Sequence, residues 1–398
     1  MLIGVVGKTN CGKSTFFKAA TLAETEIANY PFATIKPHHG VGFVEVDCAD
    51  KELGVQCIPR FGYCKDHKRF VPVDILDVAG LIPNAHKGEG MGLQFLNDLN
   101  QADALIHIVD VAGSTNERGE PIQPLSYDPA NDVKFLEIEL DYWYFEILKK
   151  GWEKLARQIQ QEHSNPAEVL GAQLSGLGAD VNMIKETLQA NNITGMPTQW
   201  TEQQLMQLAT HLRKKTKPML IACNKIDVPG AYENFQRLKK EFPAYMFILC
   251  SAESELALRE AARHELIKYI PGSNSFEYLH EEKLTDKQKN ALEFIKKNIL
   301  EKYNSTGVQE VIDKAVFKLL KRIVVYPVPD AHLKDKDGKI LPDAYLIPEN
   351  STCLQFAYKV HTTFGDTFIR AVDIKTKRTV GKEHVLRNND VIQIISGK

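Results

Sequence analysis

The sequence predicts an α/β fold built on a mostly parallel sheet, and three observations carry that expectation. Apolar runs at 2–6, 41–46, 71–76, 104–109, 219–223 and 246–250 are separated by helix-compatible stretches, among them 13–21, 91–101, 231–241 and 255–269. Strands alternating with helices imply a parallel sheet covered on both faces. A glycine-rich turn at 7–14 joins the first run to the first helix, and two aspartate-bearing tetrads, at 77–80 and 224–227, follow two later runs directly. Such strand ends are where open α/β sheets bind ligands.

At 398 residues, the chain has room for two or three domains. No apolar run reaches the length of a membrane helix, and the chain enters a strand at once, so neither a transmembrane helix nor a signal peptide is expected. Seven cysteines, at 11, 48, 57, 64, 223, 250 and 353, form an odd, scattered set that fits a reducing cytoplasm better than a disulfide framework. Net charge is −2, yet residues 283–398 carry 21 Lys and Arg against 14 Asp and Glu, a balance of +7 that leaves −9 for the rest. A basic C-terminal third can face RNA, or can be solvated lysine surface.

The alternation holds over 1–130, stops over 131–217, and resumes over 218–272. In the interruption, Asn131-Asp132 can cap a long helix, 133–162, with Phe135, Leu136, Ile138, Leu140, Trp143, Tyr144, Ile147 and Leu148 at helical spacing. Pro and Gly then punctuate helices at about 166–175, 180–191 and 200–215. The whole reads as an inserted helical hairpin or coiled-coil domain. A basic helical connector follows at 273–323, with helices near 284–303 and 307–322. The last module, 324–398, has a helix 352–361 that Ser351 can cap and strands at 368–372 and 391–395, a small α+β fold.

Residues 7–14 read GKTNCGKS, the G-x-x-x-x-G-K-[ST] phosphate-binding loop, in its required setting of strand, turn and helix. The N–H groups of Asn10, Cys11, Gly12, Lys13, Ser14 and Thr15 sit where a nest for phosphate oxygens forms. Lys13 can reach the β- and γ-phosphates, and the Ser14 hydroxyl can ligate Mg²⁺. Asp77-Val78-Ala79-Gly80 is D-x-x-G: Asp77 can hold Mg²⁺ through water and the Gly80 N–H can sense the γ-phosphate. Thr34 lies between the first helix and the second strand, where a threonine can close over Mg²⁺ and the γ-phosphate and then release.

The base is read by a later motif. In Asn224-Lys225-Ile226-Asp227, the Asp227 carboxylate can accept from guanine N1–H and its 2-amino group, a pair that adenine does not present. Lys225 can cover the base, Asn224 can tie this loop to the phosphate loop, and Ser251-Ala252 can offer an N–H to guanine O6. The expected ligand is therefore GTP or GDP with Mg²⁺.

Leu81 follows Gly80 where Ras-like enzymes carry a water-orienting glutamine, so turnover is expected to be slow without an activator. Asn10 is a candidate ligand for K⁺, which can substitute for an arginine finger, and His86, in a glycine-rich run at 84–92, is a candidate catalytic group. An exposed loop histidine is the equal alternative. Cys57, Cys64 and His67, with Cys48 nearby, contain no C-x₂₋₄-C pair, so free cysteines packing a loop are expected rather than zinc.

Together these residues resemble the Obg-like P-loop GTPase superfamily, and within it the YchF branch of archaeal type. The resemblance rests on the phosphate loop with Asn10, Tyr30-Pro31-Phe32 ahead of Thr34, Asp77-Val78-Ala79-Gly80-Leu81-Ile82 and the run around His86. It rests also on a final module with Phe356-Ala357, His361, Phe364-Gly365, Phe368 and Asn389-Asp390-Val391-Ile392, which resembles a TGS domain. The resemblance implies a P-loop NTPase with a Ras-like G domain, a helical insertion and a ubiquitin-like TGS module. It implies association with the ribosome, RNA or a translation factor; a monomer in the cytoplasm is expected. Many relatives lack Asn-Lys-x-Asp and resemble ATPases, whereas this chain keeps it. The expected activity is a GTPase switch; ATP hydrolysis, or an adaptor with negligible hydrolysis, is the alternative.

Overall fold

The computed structural model describes residues 1–22, 38–78 and 99–397. Tyr30-Pro31-Phe32, Thr34, Gly80, Leu81, the run around His86 and most of the expected helix 91–101 lie outside the described residues. The chain divides into two compact units, Met1–Phe17 with Ile75–Glu253, and Lys18–Asp74 with Ser254–Lys398.

The α/β strands in chain order are β1 (Leu2–Val6), β2 (His39–Asp47), β3 (Tyr63–Lys65), β4 (Lys68–Asp77), β5 (Ala104–Asp110), β6 (Met219–Asn224) and β7 (Phe247–Leu249). In the first unit, β1 runs parallel to β5, β5 to β6 and β6 to β7, with Ile3 opposite Ala104, Leu105 opposite Met219 and Ile221 opposite Phe247. β4 enters this unit at Ile75, and just past its end the Val78 N–H donates to Val5 O at 3.1 Å. Every residue of β5 and of β6 is buried. Strands covered on both faces lose the polar–apolar alternation, which is why these runs read as continuous apolar segments. Parallel pairing also brings the carboxyl ends of β1, β5, β6 and β7 to one edge.

The helical segment differs from the expectation in detail. The predicted helix 133–162 is two helices, Ala130–Lys149 and Trp152–Glu162. Lys150 turns extended at ψ 105° and Gly151 takes a left-handed φ of 77°, which a glycine adopts without penalty. The N-cap is Pro129 rather than Asn131 or Asp132. Helices Pro166–Leu174, Val181–Ala190 and Glu202–Thr216 follow, the last started by a capping box between Thr201 and Gln204. Leu136, Leu140, Trp143, Leu208 and Leu212 share one core with Val6, Leu76, Leu105 and Met219. The aromatic stripe is thus packing, and the stacked Trp152 and Trp200 rings, 5.5 Å apart, belong to it.

In the second unit, β2 neighbours β4, and β3 is antiparallel to β4 with Tyr63 opposite Phe70. The expected helix 255–269 ends at Arg263. Its tail is instead β8 (Ile267–Tyr269), paired with β9 (Phe276–Tyr278), because Glu265 turns left-handed at φ 57°. Helices Asp286–Ile295 and Val308–Lys314 each run into a π turn, Lys296–Leu300 and Ala315–Leu319. The last module places β10 (Arg322–Val328), β11 (Tyr345–Pro348), β12 (Phe368–Asp373), β13 (Arg378–Val380) and β14 (Asp390–Ser396) in the order β11-β10-β14-β12-β13. The helix Cys353–Val360 packs Cys353 and Phe356 into the core beside Val325 and Ile392, and its cap is Thr352, with Gln355, rather than Ser351. No helix among the described residues is long and apolar enough to cross a membrane.

Candidate nucleotide-binding site

The turn at 7–14 leaves the carboxyl end of β1 and enters the helix Lys13–Thr21, so its N–H groups collect at a helix N-terminus. Gly12 sits at φ 94°, and a Cβ there would lie 2.1 Å from Asn224 Nδ2. Cys11 is fully buried, and burial pushes its thiol up to about 12, so it packs the loop as an unreactive group. Lys13 Nζ lies 3.1 Å from Asp77 Oδ1, and Ser14 Oγ lies 3.5 Å from Asp77 Oδ2. One exposed hydroxyl and one carboxylate this close form a hard oxygen set of the type that suits Mg²⁺.

Asn224 ends β6 and makes two hydrogen bonds in opposite directions. Its Nδ2 donates to Cys11 O at 2.9 Å, and its Oδ1 accepts from the Ala252 N–H at 3.0 Å. One side chain therefore joins the phosphate loop, the 224–227 loop and the loop after β7. Ser251 Oγ donates to Asp227 Oδ1 at 2.8 Å, which orients that carboxylate. Three segments distant in sequence meet at the strand ends.

Two side chains in the site, Asp110 and Lys8, escaped the sequence reading. Asp110, fully buried at the end of β5, accepts from Ser114 Oγ (2.8 Å), Thr115 Oγ1 (2.9 Å) and Lys225 Nζ (3.0 Å). It fixes Lys225, whose backbone stands at a left-handed φ of 64°, a costly conformation for a residue with a Cβ. An acid at the end of a strand that is apolar apart from His107 was the available signal. Lys8 is buried, pairs with Asp132 at 2.8 Å, donates to Thr115 O at 2.9 Å and lies 3.9 Å from the centre of the Tyr127 ring. Asp132 thus anchors the phosphate loop instead of capping a helix. Asn10 donates through Nδ2 to Gly119 O at 2.9 Å.

A family model described as "50S ribosome-binding GTPase" matches residues 2–136, and one for the "TGS domain" matches 323–396. A third, "Obg-like GTPase YGR210-like, G4 motif-containing domain", matches 222–330. A GTP-binding protein of Methanocaldococcus jannaschii is 49% identical over 396 residues, 99% of each chain. The chain belongs to the YchF branch of the Obg-like GTPases. The crystal structure of a GTP-binding protein from Pyrococcus horikoshii superimposes over 100% of both chains at 38% identity with a TM-score of 0.80. The "ribosome-binding ATPase YchF" of Buchnera aphidicola is 26% identical over 414 residues, 98% of each chain. The relatives therefore carry both GTP-binding and ATPase names.

A second cluster lies in the other unit. Cys48, Cys57 and Cys64 come together around Asp50, all four ligand-type atoms falling within 4.8 Å of one another. His67 stands outside this set and bonds Asp50 Oδ1 through Nδ1 at 2.9 Å. Spacing hid the group, because the thiols come from the end of β2, the following loop and β3 rather than from a short C-x₂₋₄-C knuckle.

Proposed function

We propose that this protein binds guanine nucleotide with Mg²⁺ and hydrolyses GTP to GDP and phosphate, using the two states as a switch on ribosome, RNA or translation-factor binding. The observation that carries the reading is the Asn224 bridge, which holds a base-reading carboxylate, Asp227, in fixed register with the phosphate loop. Asp227 accepts from guanine N1–H and the 2-amino group, whereas adenine, with an unprotonated N1 and a C2–H there, leaves the carboxylate an acceptor facing no donor and is rejected. Lys225, held by Asp110, lies along the base. Lys13 moves from Asp77 to the β- and γ-phosphates, freeing the carboxylate.

Ser14, Thr34 and Asp77 would hold Mg²⁺, which supplies charge neutralisation at the β- and γ-oxygens. Gly80 N–H reads the γ-phosphate, and His86 or a K⁺ ion near Asn10 aids the attack of water, since Leu81 cannot orient it. ATP hydrolysis is the second reading, and the ATPase name of the Buchnera relative is what favours it.

Side-by-side titration and multiple-turnover phosphate release with GTP and ATP, in K⁺ and Na⁺, with and without ribosomes, tests the proposal. Expected are tighter GTP binding and turnover raised by ribosomes or K⁺. Equal affinity for ATP would overturn the base assignment, and background hydrolysis under every condition would leave an adaptor.

A further inference from the structure

We infer that Cys48, Cys57, Cys64 and Asp50 form a structural zinc site. Cys48 follows the end of β2, Asp50 lies in the short helix Ala49–Glu52, Cys57 is in the following loop and Cys64 is on β3. The geometry is that of one ion. A tetrahedral centre with metal–sulfur bonds of about 2.3 Å holds its ligand atoms roughly 3.8 Å apart. Cys48 Sγ lies 3.5 Å from Cys57 Sγ, and Cys64 Sγ lies 3.7 Å from Asp50 Oδ2. An iron–sulfur cluster would hold its ligand sulfurs farther apart than this set allows. A disulfide, at about 2.05 Å, needs a much closer pair. Three thiolates with one carboxylate select zinc over magnesium or calcium, and four protein ligands make a closed, structural centre.

Two further features point to an occupant. Asp50 is fully buried, with Oδ2 accepting the Cys57 N–H at 3.1 Å and Oδ1 bonded to His67. That leaves a carboxylate facing three sulfurs, a costly enclosure unless a cation joins it. The hydrogen bond from His67 is the outer-shell support that ligating carboxylates receive. Arg69 is 1% exposed, and its charge acts on Cys57. Its guanidinium donates to Leu341 O (3.0 Å) and Pro342 O (2.8 Å), its Nε has no partner, and it forms no ion pair among the described residues. A zinc ion with three thiolates and a carboxylate carries a net charge of −2, which this buried cation offsets.

The ion would pin the loop that receives the 335–343 segment. Ile58 N–H donates to Ile340 O and Arg60 N–H to Pro342 O, each at 2.8 Å, while Arg60 pairs with Asp335 at 2.7 Å. The test uses the full chain, purified under reducing conditions without chelator or a metal-affinity column. Elemental analysis is expected to find about one zinc per chain. Co²⁺ replacement should give thiolate-to-cobalt charge transfer and the strong d–d absorption of a tetrahedral site. Cys64→Ser, at the least buried ligand, should lower zinc content at least about tenfold, while Cys353→Ser should leave it unchanged. Removing the metal should speed amide exchange at 55–60 and 335–343. Absence of zinc together with no cobalt spectrum on the wild-type chain overturns the site, as does a Cys48–Cys57 disulfide found by non-reducing mass spectrometry. The wild-type readings stand even if a variant fails to fold.

Discussion

Gly12 and Asn224 approach so closely that a single added carbon would collide: a Cβ on Gly12 would stand 2.1 Å from Asn224 Nδ2. The missing side chain at position 12 is what lets Asn224 reach Cys11 O. Gly12→Ala must therefore displace Asn224, besides bearing the left-handed φ of 94°. Asn224→Ala removes two buried hydrogen bonds, about 1–3 kcal/mol. Since both changes break one contact, their effects should fall short of additivity by about 1 kcal/mol. Urea melts and GTP titrations of the two single variants and the double variant measure that coupling; strict additivity would separate the two residues.

Lys13 and Asp77 pair at 3.1 Å with both side chains largely shielded, and each has another task in a metal–nucleotide complex. Lys13→Ala should weaken GTP at least about 100-fold, since it removes charge-assisted bonds to phosphate. Asp77→Asn should act differently. Nucleotide still binds, but Mg²⁺ no longer tightens it and hydrolysis is lost. Titrations with Mg²⁺ and with EDTA distinguish the two, and an unchanged Mg²⁺ dependence in Asp77→Asn would remove Asp77 from the metal set.

Base choice rests on Asp227, aligned by Ser251 at 2.8 Å. Replacing its carboxylate with an amide puts a donor against guanine donors. Asp227→Asn should therefore weaken GTP about 100-fold and favour xanthosine triphosphate, whose 2-carbonyl accepts from the amide. Competition between GTP, XTP and ATP reads the change. A variant that binds GTP as the parent does would place the base elsewhere.

The motif-bearing part of the site was legible because each motif sits at a strand end, and parallel strands bring those ends to one edge whatever lies between them. That logic located Asn224 beside Cys11 across more than two hundred residues. It did not find Asp110 or Lys8, whose roles depend on side-chain partners from a connecting loop, Ser114 and Thr115. The helix broken at Lys150-Gly151 shows the same limit. Its apolar period continues through the break, and only the left-handed Gly151 marks it. The thiol cluster was missed for a third reason: Cys48, Cys57 and Cys64 are grouped in the sequence, but no C-x₂₋₄-C pair marks them as one site and nothing in the sequence singles out Asp50.

Asp313 supplies a pH test away from the nucleotide. Burial pushes its carboxyl up to about 7, against the hydrogen bonds that the Glu45 N–H (2.8 Å) and Gln309 Nε2 (2.9 Å) donate to it; Glu45 and Glu310 add repulsion. The unfolded chain loses this proton near the ordinary value of 3.8, whereas the folded chain keeps it to about 7. Between those values the folded state binds more protons, so its stability falls as pH rises, and the loss is complete above about 7. Asp313→Asn keeps an acceptor for both donors and never ionises. Its stability relative to the parent should therefore climb from pH 5 to pH 7 and then stay flat, gaining about 2 kcal/mol after allowance for residual solvent contact. Melting temperatures of both proteins across pH 5–8.5 check this. Because the reading is the slope of the difference, any constant cost of burying an amide drops out, and parallel curves would show that Asp313 is already ionised at pH 5.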